Sequence, residues 1–262
     1  MTLRYTVLDP SGNLTILVAT EVERAQQPAL AAALLAAEPA AEQVGFLEAH
    51  GTDCHIRVRM AGGEFCGNAT LCAAALFSAQ SGQQQVRVGM SGAETPLTVT
   101  LQPREGGFDG RLDMPLPTEV ETRQFSLDGK IFSLPMVTLP GISHLLLTEP
   151  LAKCDAERAV KCWCRELQAP GLGLMMLDEA AMTLTPLVYI PGGDTLYWER
   201  SCASGTAAVG AALATLRGES LSLHLQEPGG TLGVSAEMDG GRLLRLTLEG
   251  RVDWDGKFKV ST

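Results

Sequence analysis

Two short stretches of this 262-residue chain share one pattern: residues 66–77 read CGNATLCAAALF, and residues 202–213 read CASGTAAVGAAL. In each stretch a cysteine precedes small and polar residues that reach a threonine, and an alanine-rich run follows. The alanine-rich runs predict helices, and the cysteines stand where those helices begin. A similar order of elements surrounds both stretches, which predicts an internal duplication of the chain.

The segments around the two stretches predict a mixture of strands and helices. Residues 4–20 are typical of two strands around a turn, and residues 21–40 are typical of a helix that Pro28 opens and Pro39 ends. In the second half, the strand-like residues 130–148 precede a helix at 155–171 and further strands. We therefore predict an α+β fold of two pseudo-symmetric domains, each with a mostly antiparallel sheet around a central helix.

The composition argues against several classes of partner. The formal net charge of −10 does not favour nucleic acid or an anionic membrane, because both attract basic surfaces. No apolar run reaches the ~18 residues of a membrane span, and residues 1–20 do not have the pattern of a signal peptide. We therefore expect a cytoplasmic protein that binds neither nucleic acid nor membranes.

The chain has seven cysteines. Their odd number and the lack of a signal peptide argue against a disulfide framework. Cys162 and Cys164 are separated by one residue, but no second pair of ligands lies nearby in the sequence, so we expect no metal site. Cys72 lies on a predicted helix and is expected in the core, which leaves Cys66 and Cys202 as the catalytic candidates.

The position of these two cysteines suggests a chemistry. A helix N-terminus has unpaired backbone N–H groups and the positive end of the helix dipole. A cysteine there is expected to have its pKa lowered from about 8.5 toward neutral, and the same N–H groups can bind a carboxylate. Pseudo-symmetry would direct both helix ends into one cleft. One thiolate would remove a proton from the carbon next to a carboxylate, and the opposite thiol would return a proton to the other face, without any cofactor.

These motifs resemble those of the cofactor-independent amino-acid racemases and epimerases, the family of diaminopimelate epimerase, over nearly the whole chain. The matching segments are DPSGNLTILV from Asp9, EQVGFLE from Glu42, CGN from Cys66, GISH from Gly141 and ERSCASGTAA from Glu199. The compact form of the last motif is similar to that of the histidine racemases that supply D-histidine for opine-type metallophore synthesis, and more loosely to that of the proline racemases.

The resemblance implies roles for particular residues, with a small amino acid as the ligand. Cys66 and Cys202 would be the two bases. The residues that would hold the α-carboxylate are Gly67, Asn68, Ser204, Gly205 and Thr206. The other substrate-binding candidates are Asn13, Gln43, Glu48, His144, Glu199 and Arg200. Glu48 and Glu199 would contact the ammonium or imidazole group; the alternative for each is a surface salt bridge, and the alternative for His144 is a structural role.

Some positions depart from the pattern of the diaminopimelate epimerases. Met60 and Ile142 stand where those enzymes have asparagines, and Glu199 and Arg200 directly precede the second cysteine motif. The groups that would bind the far end of diaminopimelate are therefore largely missing. Because polar groups that lose water without finding partners bind poorly, we predict another amino acid as the substrate, with histidine as the first choice.

The resemblance also implies the domain organisation. The N-terminal domain would cover residues 1–119 and be joined by the last strand near 252–262, and the C-terminal domain would cover 120–251. The active site would lie in the cleft between them. Since family members are often dimers, a homodimer is one possible assembly.

Other functions fit part of these observations. Within the family, the alternatives are a diaminopimelate epimerase and a proline-racemase-like enzyme. A phenazine-biosynthesis-like isomerase has a similar Cys-Gly-His-Ala-Thr stretch and works with a glutamate, for which Glu48 is the candidate. A non-catalytic amino-acid-binding protein would bind its ligand without exchanging the α-proton. The presence of both Cys66 and Cys202 favours the racemase over these two.

Overall fold

The structure is a computed structural model that describes residues 2–261. The chain divides into two compact units. The first unit contains the chain up to Asp113 and again from Glu249 onward, and the second unit is Met114–Leu248. The chain returns to the first unit within a single long strand, β16 (Arg242–Asp253).

The first unit is a sheet that surrounds a helix. Its strands are β1 (Leu3–Pro10), β2 (Thr15–Val18), β3 (Gln43–Glu48), β4 (Ile56–Met60), β5 (Gln85–Met90), β6 (Leu97–Arg104), β7 (Gly107–Asp113) and β17 (Lys259–Ser261). Its helices are α1 (Gln27–Ala37) and α2 (Gly67–Ser81). Because β1 and β7 both pair with β16, the sheet closes on itself, and α2 packs inside against β1, β2 and β4–β7.

The second unit has the same kind of construction. Its strands are β8 (Glu119–Leu127), β9 (Lys130–Leu139), β10 (Ile142–Leu147), β11 (Leu172–Asp178), β12 (Thr183–Ile190), β13 (Thr195–Trp198), β14 (Leu221–Glu227) and β15 (Gly230–Asp239). Its helices are α3 (Lys153–Leu167) and α4 (Ala203–Arg217). One core packs around Trp163 of α3, and α4 packs against β9–β11, β14 and β15.

The order of strand pairing repeats between the units. From β1 to β6, consecutive pairs are antiparallel, parallel, antiparallel, parallel and antiparallel. The strands β9, β10, β11, β12, β14 and β15 pair in the same order, with β13 as an insertion beside β12. The helices α2 and α4 occupy equivalent places in this order. The predicted α+β fold of two related halves, each with a mostly antiparallel sheet around a central helix, is confirmed.

Proline opens helix α1 as predicted, and glycines end the helices α2 and α4. Pro28 lies in the first turn of α1, where a missing N–H group costs nothing. Gly82 and Gly218 end α2 and α4 with φ of 75° and 68°, a left-handed conformation that favours glycine. None of the helices within residues 2–261 combines the length and the apolarity needed to cross a membrane.

Helix α4 is buried at every residue from Ala203 to Ala214, so its small side chains set how closely the sheet approaches. Gly210 lies close to β15. A Cβ atom at this position would lie 2.5 Å from Cγ2 of Val234. Since a β-branched side chain in a packed core cannot move freely, this contact requires glycine.

We predict that Gly210→Val lowers the free energy of unfolding by about 2 kcal/mol, because the added methyl groups overpack the contact between α4 and β15. Urea denaturation followed by circular dichroism measures the change. Gly192→Val is the matched control, since no atom lies within 4 Å of a Cβ built at Gly192. Equal stability of the two variants would contradict the close packing of α4.

Candidate active site

Cys66 is the residue that caps the N-terminus of α2. Its backbone is extended (φ −140°, ψ 111°), and its Sγ accepts a hydrogen bond from the N–H group of Ala69 at 3.3 Å. The thiol also donates to Oε1 of Gln43 at 3.0 Å. The sulfur is therefore held from two sides, by the first turn of the helix and by strand β3.

A short hydrogen-bonded chain fixes the orientation of the Gln43 amide. Nε2 of Gln43 donates to Oγ1 of Thr15 at 2.7 Å, and that hydroxyl donates to the backbone carbonyl of Asn13 at 3.1 Å. Because the Thr15 hydroxyl gives its proton to Asn13, it must accept from the amide, which leaves the amide oxygen facing Cys66. In this structure the amide oxygen of Gln43 thus accepts a hydrogen bond from the thiol of Cys66. The sequence had predicted a contact of Gln43 with the substrate.

The other predicted residues of the first unit lie in different settings. Asn13 is buried in the turn between β1 and β2, and Gly67 and Asn68 are buried in the first turn of α2. Glu48 lies at the end of β3 and forms a bidentate ion pair with Arg24, at 2.9 and 3.0 Å. For Glu48 the structure therefore matches the salt-bridge alternative, as an ion pair with an arginine that is 70% exposed.

Cys202 caps α4 in the same way as Cys66 caps α2. Its backbone is extended (φ −129°, ψ 98°), and its Sγ accepts from the N–H group of Gly205 at 3.3 Å. Oγ of Ser204 lies 3.7 Å from the sulfur. A Cβ atom at Gly205 would lie 2.1 Å from Sδ of Met175 and 3.0 Å from Sγ of Cys202, so only glycine fits beside the thiol.

His144 reaches this site through Ser204. Its Nε2 lies 3.0 Å from Oγ of Ser204, and its side chain is buried. Burial lowers the pKa of His144 to about 3, so the imidazole is neutral. Gly173, which pairs with His144 across β10 and β11, makes room for the ring, since a Cβ there would lie 2.1 Å from Nδ1. His144 therefore orients the serine beside Cys202.

Glu227 is a functional candidate that the sequence reasoning missed. Oε2 of this buried carboxyl group accepts from the backbone N–H of Cys202 at 2.7 Å, and Oε1 accepts from the hydroxyl of Thr206. Since the N–H group of Thr206 donates to the carbonyl of Cys202 at 2.8 Å, both donors of Thr206 are used inside the protein. We therefore assign Thr206 to the cap, and no longer to the α-carboxylate of the substrate.

One sequence signal could have identified Glu227. Side chains two residues apart on a strand lie on the same face, which puts Glu227 on the face of Leu225, and both are buried. A carboxyl group on the apolar face of a strand needs a buried partner. The pattern does not reveal that the partner is the cap of α4, 25 residues earlier in the chain.

The predicted lowering of the cysteine pKa is wrong for Cys202. Its pKa is raised well above the ordinary value, first by burial and then by the negative charges of Glu199 and Glu227. A helix N-terminus stabilises a charge by only about 0.3–1 kcal/mol at an exposed site, whereas full burial can shift a pKa by several units. Burial also raises the pKa of Glu227, to about 8, and the charge of Glu199 adds to this shift.

Glu199 and Arg200 lie between β13 and the cap. The N–H group of Glu199 donates to the carbonyl of Pro186 at 3.1 Å, and the carbonyl of Arg200 accepts from Gly229 at 2.7 Å. Both backbone contacts tie this segment to its neighbours in the second unit. The half-buried carboxylate of Glu199 is thereby held close enough to act on Cys202.

In the part of the chain that the structure describes, the cysteines form no disulfide, and the cysteines and acidic groups form no metal site. All seven cysteines are free thiols. Within residues 2–261, no three His, Cys, Asp or Glu side chains are grouped closely enough to hold a metal ion. What the arrangement offers chemically is two thiols, each fixed at the N-terminus of a buried helix.

The fold is shared with amino-acid racemases and epimerases. A hydroxyproline epimerase from Agrobacterium vitis superposes with a TM-score of 0.71, covering 99% of this chain and 92% of that chain at 14% sequence identity. At this identity the similarity shows the fold alone, and the fold is that of this class of isomerase.

The chain belongs to the family described as the histidine racemase CntK N-terminal domain, whose sequence profile matches residues 2–257. A histidine racemase of Staphylococcus aureus is 28% identical over 249 residues, which cover 90% of this chain and 89% of the relative. A histidine racemase of Fusobacterium nucleatum is 28% identical over 221 residues, covering 79% of this chain and 80% of the relative. The resemblance to PLP-independent amino-acid racemases is confirmed, and the chain is an isomerase of the racemase and epimerase class.

The buried, neutral His144 predicts a specific acid sensitivity. Its pKa is about 3 in the folded protein and about 6.5 when unfolded, so protonation favours unfolding. Stability should therefore fall as the pH drops from 6.5 toward 3, by up to about 1.4 kcal/mol per pH unit from this one group. Urea denaturation at a series of pH values measures the slope, which should be shallower in His144→Gln. Identical slopes in both proteins would contradict the burial of a neutral imidazole.

Proposed function

We propose that this chain interconverts L-histidine and D-histidine by a two-base mechanism, with Cys66 and Cys202 as the bases. The observation that carries the proposal is the repeated cap: in each unit, a cysteine sulfur is fixed at the N-terminus of the central buried helix. Two relatives that align with most of the chain are histidine racemases, which supports histidine as the substrate. The positions of Met60 and Ile142 argue against diaminopimelate.

The proposed reaction balances in protons and electrons. One cysteine starts as a thiolate and the other as a thiol. The thiolate takes the α-proton, and the C–H electron pair moves toward the carboxylate to give an enediolate. The opposite thiol then delivers its proton to the other face of the carbon. The two sulfurs have exchanged protonation states, and the reverse reaction restores them.

Several groups would bind and orient the substrate. We assign the α-carboxylate to the first turns of α2 and α4, where backbone N–H groups and the helix dipole favour an anion. The residues there are Gly67, Asn68, Ser204 and Gly205. The ammonium group is assigned to the carboxylate of Glu199, and the neutral imidazole group to Asn13 and Arg200. Gln43 and His144 act indirectly, by orienting Cys66 and Ser204.

The biological setting is a further part of the proposal. We infer that the enzyme acts in the cytoplasm and that its D-histidine enters opine-type metallophore synthesis, and a homodimer is one possible assembly. The support for the metallophore role is the resemblance of the ERSC motif, residues 199–202, to that of the histidine racemases with this role.

Proton NMR in D2O with a reductant tests the proposal. We expect the α-proton signal of L-histidine to disappear, and L-proline, L-glutamate and LL-diaminopimelate to keep theirs. Cys66→Ser and Cys202→Ser should each lower racemisation by about 10²- to 10⁴-fold, because each removes one acid–base group. Cys162→Ser, at an exposed thiol, is the control that should keep full activity.

The other outcomes separate the alternatives. Exchange of the α-proton of a different amino acid would show that histidine is not the substrate and would leave the proposed two-base mechanism in place. Full exchange in both serine variants would refute the two cysteine bases. Binding of an amino acid with no exchange would favour a binding protein. Isomerase activity that requires Glu48 and neither cysteine would favour the phenazine-like enzyme.

A further inference from the structure

Behind Cys202 lies a buried carboxyl group that the proposed reaction does not use. Glu227 is the last residue of β14, and its side chain is only 2% exposed. It touches the cap residue itself, through the backbone N–H of Cys202, and the fourth residue after it, through the hydroxyl of Thr206. A buried ionisable group in contact with a candidate acid–base residue requires a physical explanation.

We propose that Glu227 is a positioning residue that holds the cap of α4 and, by its charge, controls the pH at which Cys202 ionises. This inference rests on the proposed role of Cys202 as one of the two bases. It adds a second, electrostatic function to a carboxyl group that would otherwise be only a structural acceptor.

The positioning follows from the hydrogen bonds. The N–H group of a cap residue has no partner inside the helix that it precedes. In Cys202 this group is buried, and Oε2 of Glu227 accepts from it at 2.7 Å. The second contact, with Thr206, ties the same carboxyl group to the first turn of α4. Together these contacts keep Cys202 in the extended conformation that points its sulfur at the N–H of Gly205.

Glu227 can affect the ionisation of Cys202 because the two acidic groups lie close together. The sulfur and the bonded N–H group belong to one residue, so a charge on Glu227 opposes a thiolate on Cys202. Glu199, on the segment before the cap, adds to the repulsion on both groups. Arg200 is exposed beside Glu199, and His144, which faces Ser204, is neutral. The repulsion from Glu227 adds to that from Glu199, and it is present only when Glu227 is ionised.

The pH dependence has a definite form. The pKa of Glu227 is about 8, so the carboxyl group is largely neutral below pH 8 and charged above it. Its charge therefore opposes the ionisation of Cys202 only in the alkaline range. The effect would keep Cys202 as a thiol, which is the form that can donate a proton to the substrate.

Alkylation of individual cysteines by iodoacetamide tests this in the intact 262-residue chain. Labelling is quantified by peptide mass spectrometry between pH 6.5 and 9.5, since the thiolate is the reactive form. In Glu227→Gln, Cys202 should react at the wild-type rate near pH 7 and about tenfold faster at pH 9 and above, as removal of one like charge lowers a pKa by about one unit. Cys66 should react as in the wild type.

The variants are chosen to separate charge from structure. In Glu227→Gln, the new amide can still accept from the Cys202 N–H and donate to the Thr206 hydroxyl, which is free to rotate. Glu237→Gln makes the same change of charge at an exposed position of β15 and should leave the labelling of Cys202 unchanged. Thr206→Val keeps the size of the side chain and removes a hydrogen bond that lowers the pKa of Glu227. It should therefore also speed the labelling of Cys202 at pH 9.

Two results would overturn the inference. One is equal labelling of Cys202 in the wild type, Glu227→Gln and Thr206→Val at every pH. The other is an acceleration of the same size at all pH values, which would indicate a loosened cap. If one variant does not fold, the other gives the answer. The assay needs no substrate, so a failed racemisation assay and a failed labelling prediction remain distinguishable.

Discussion

A helix that is buried along almost its whole length needs a side chain to accept the N–H groups of its first turn, because water cannot reach them. In α2 and α4 that side chain is a cysteine, with the sulfur 3.3 Å from the N–H of the third residue of the helix. Serine, threonine, aspartate and asparagine are the usual choices for this position. The sulfur atom that we propose as an acid or base is therefore also the atom that caps the helix.

The two units share the cysteine cap and differ in what surrounds it. Around Cys66 the contact is neutral: an amide oxygen from β3, whose orientation is set by Thr15 on the neighbouring strand. Around Cys202 it is acidic: a buried carboxyl group from β14, with Glu199 on the preceding segment. The two thiols share one backbone geometry and differ in electrostatics. The surroundings of each candidate base therefore differ although the helix that holds it begins in the same way.

The sequence predicts well what depends on short-range signals. Pro28, Gly82 and Gly218 mark helix ends, and the paired cysteine stretches reveal the duplication and both candidate bases. The sequence predicts poorly what depends on contacts between distant segments. The pKa of Cys202 is raised by burial, by Glu199 and by Glu227, which lies 25 residues away in the chain. The ion pair of Glu48 with Arg24 joins a strand to a short 3-10 helix, Arg24–Gln26. The position of Cys202 at a helix N-terminus could not show that burial raises its pKa by more than the helix dipole lowers it.

Unequal thiols are compatible with a reaction that has no preferred direction. In an achiral solvent two enantiomers have the same free energy, so the equilibrium constant is one and kcat/KM must be equal for both. A charge that raises the pKa of Cys202 therefore cannot favour one enantiomer overall. It makes Cys202 a weaker acid when it donates a proton and its thiolate a stronger base when it accepts one. Under the proposed mechanism, the two environments set how the barrier is shared between the two proton transfers, and hence kcat and KM separately for each enantiomer.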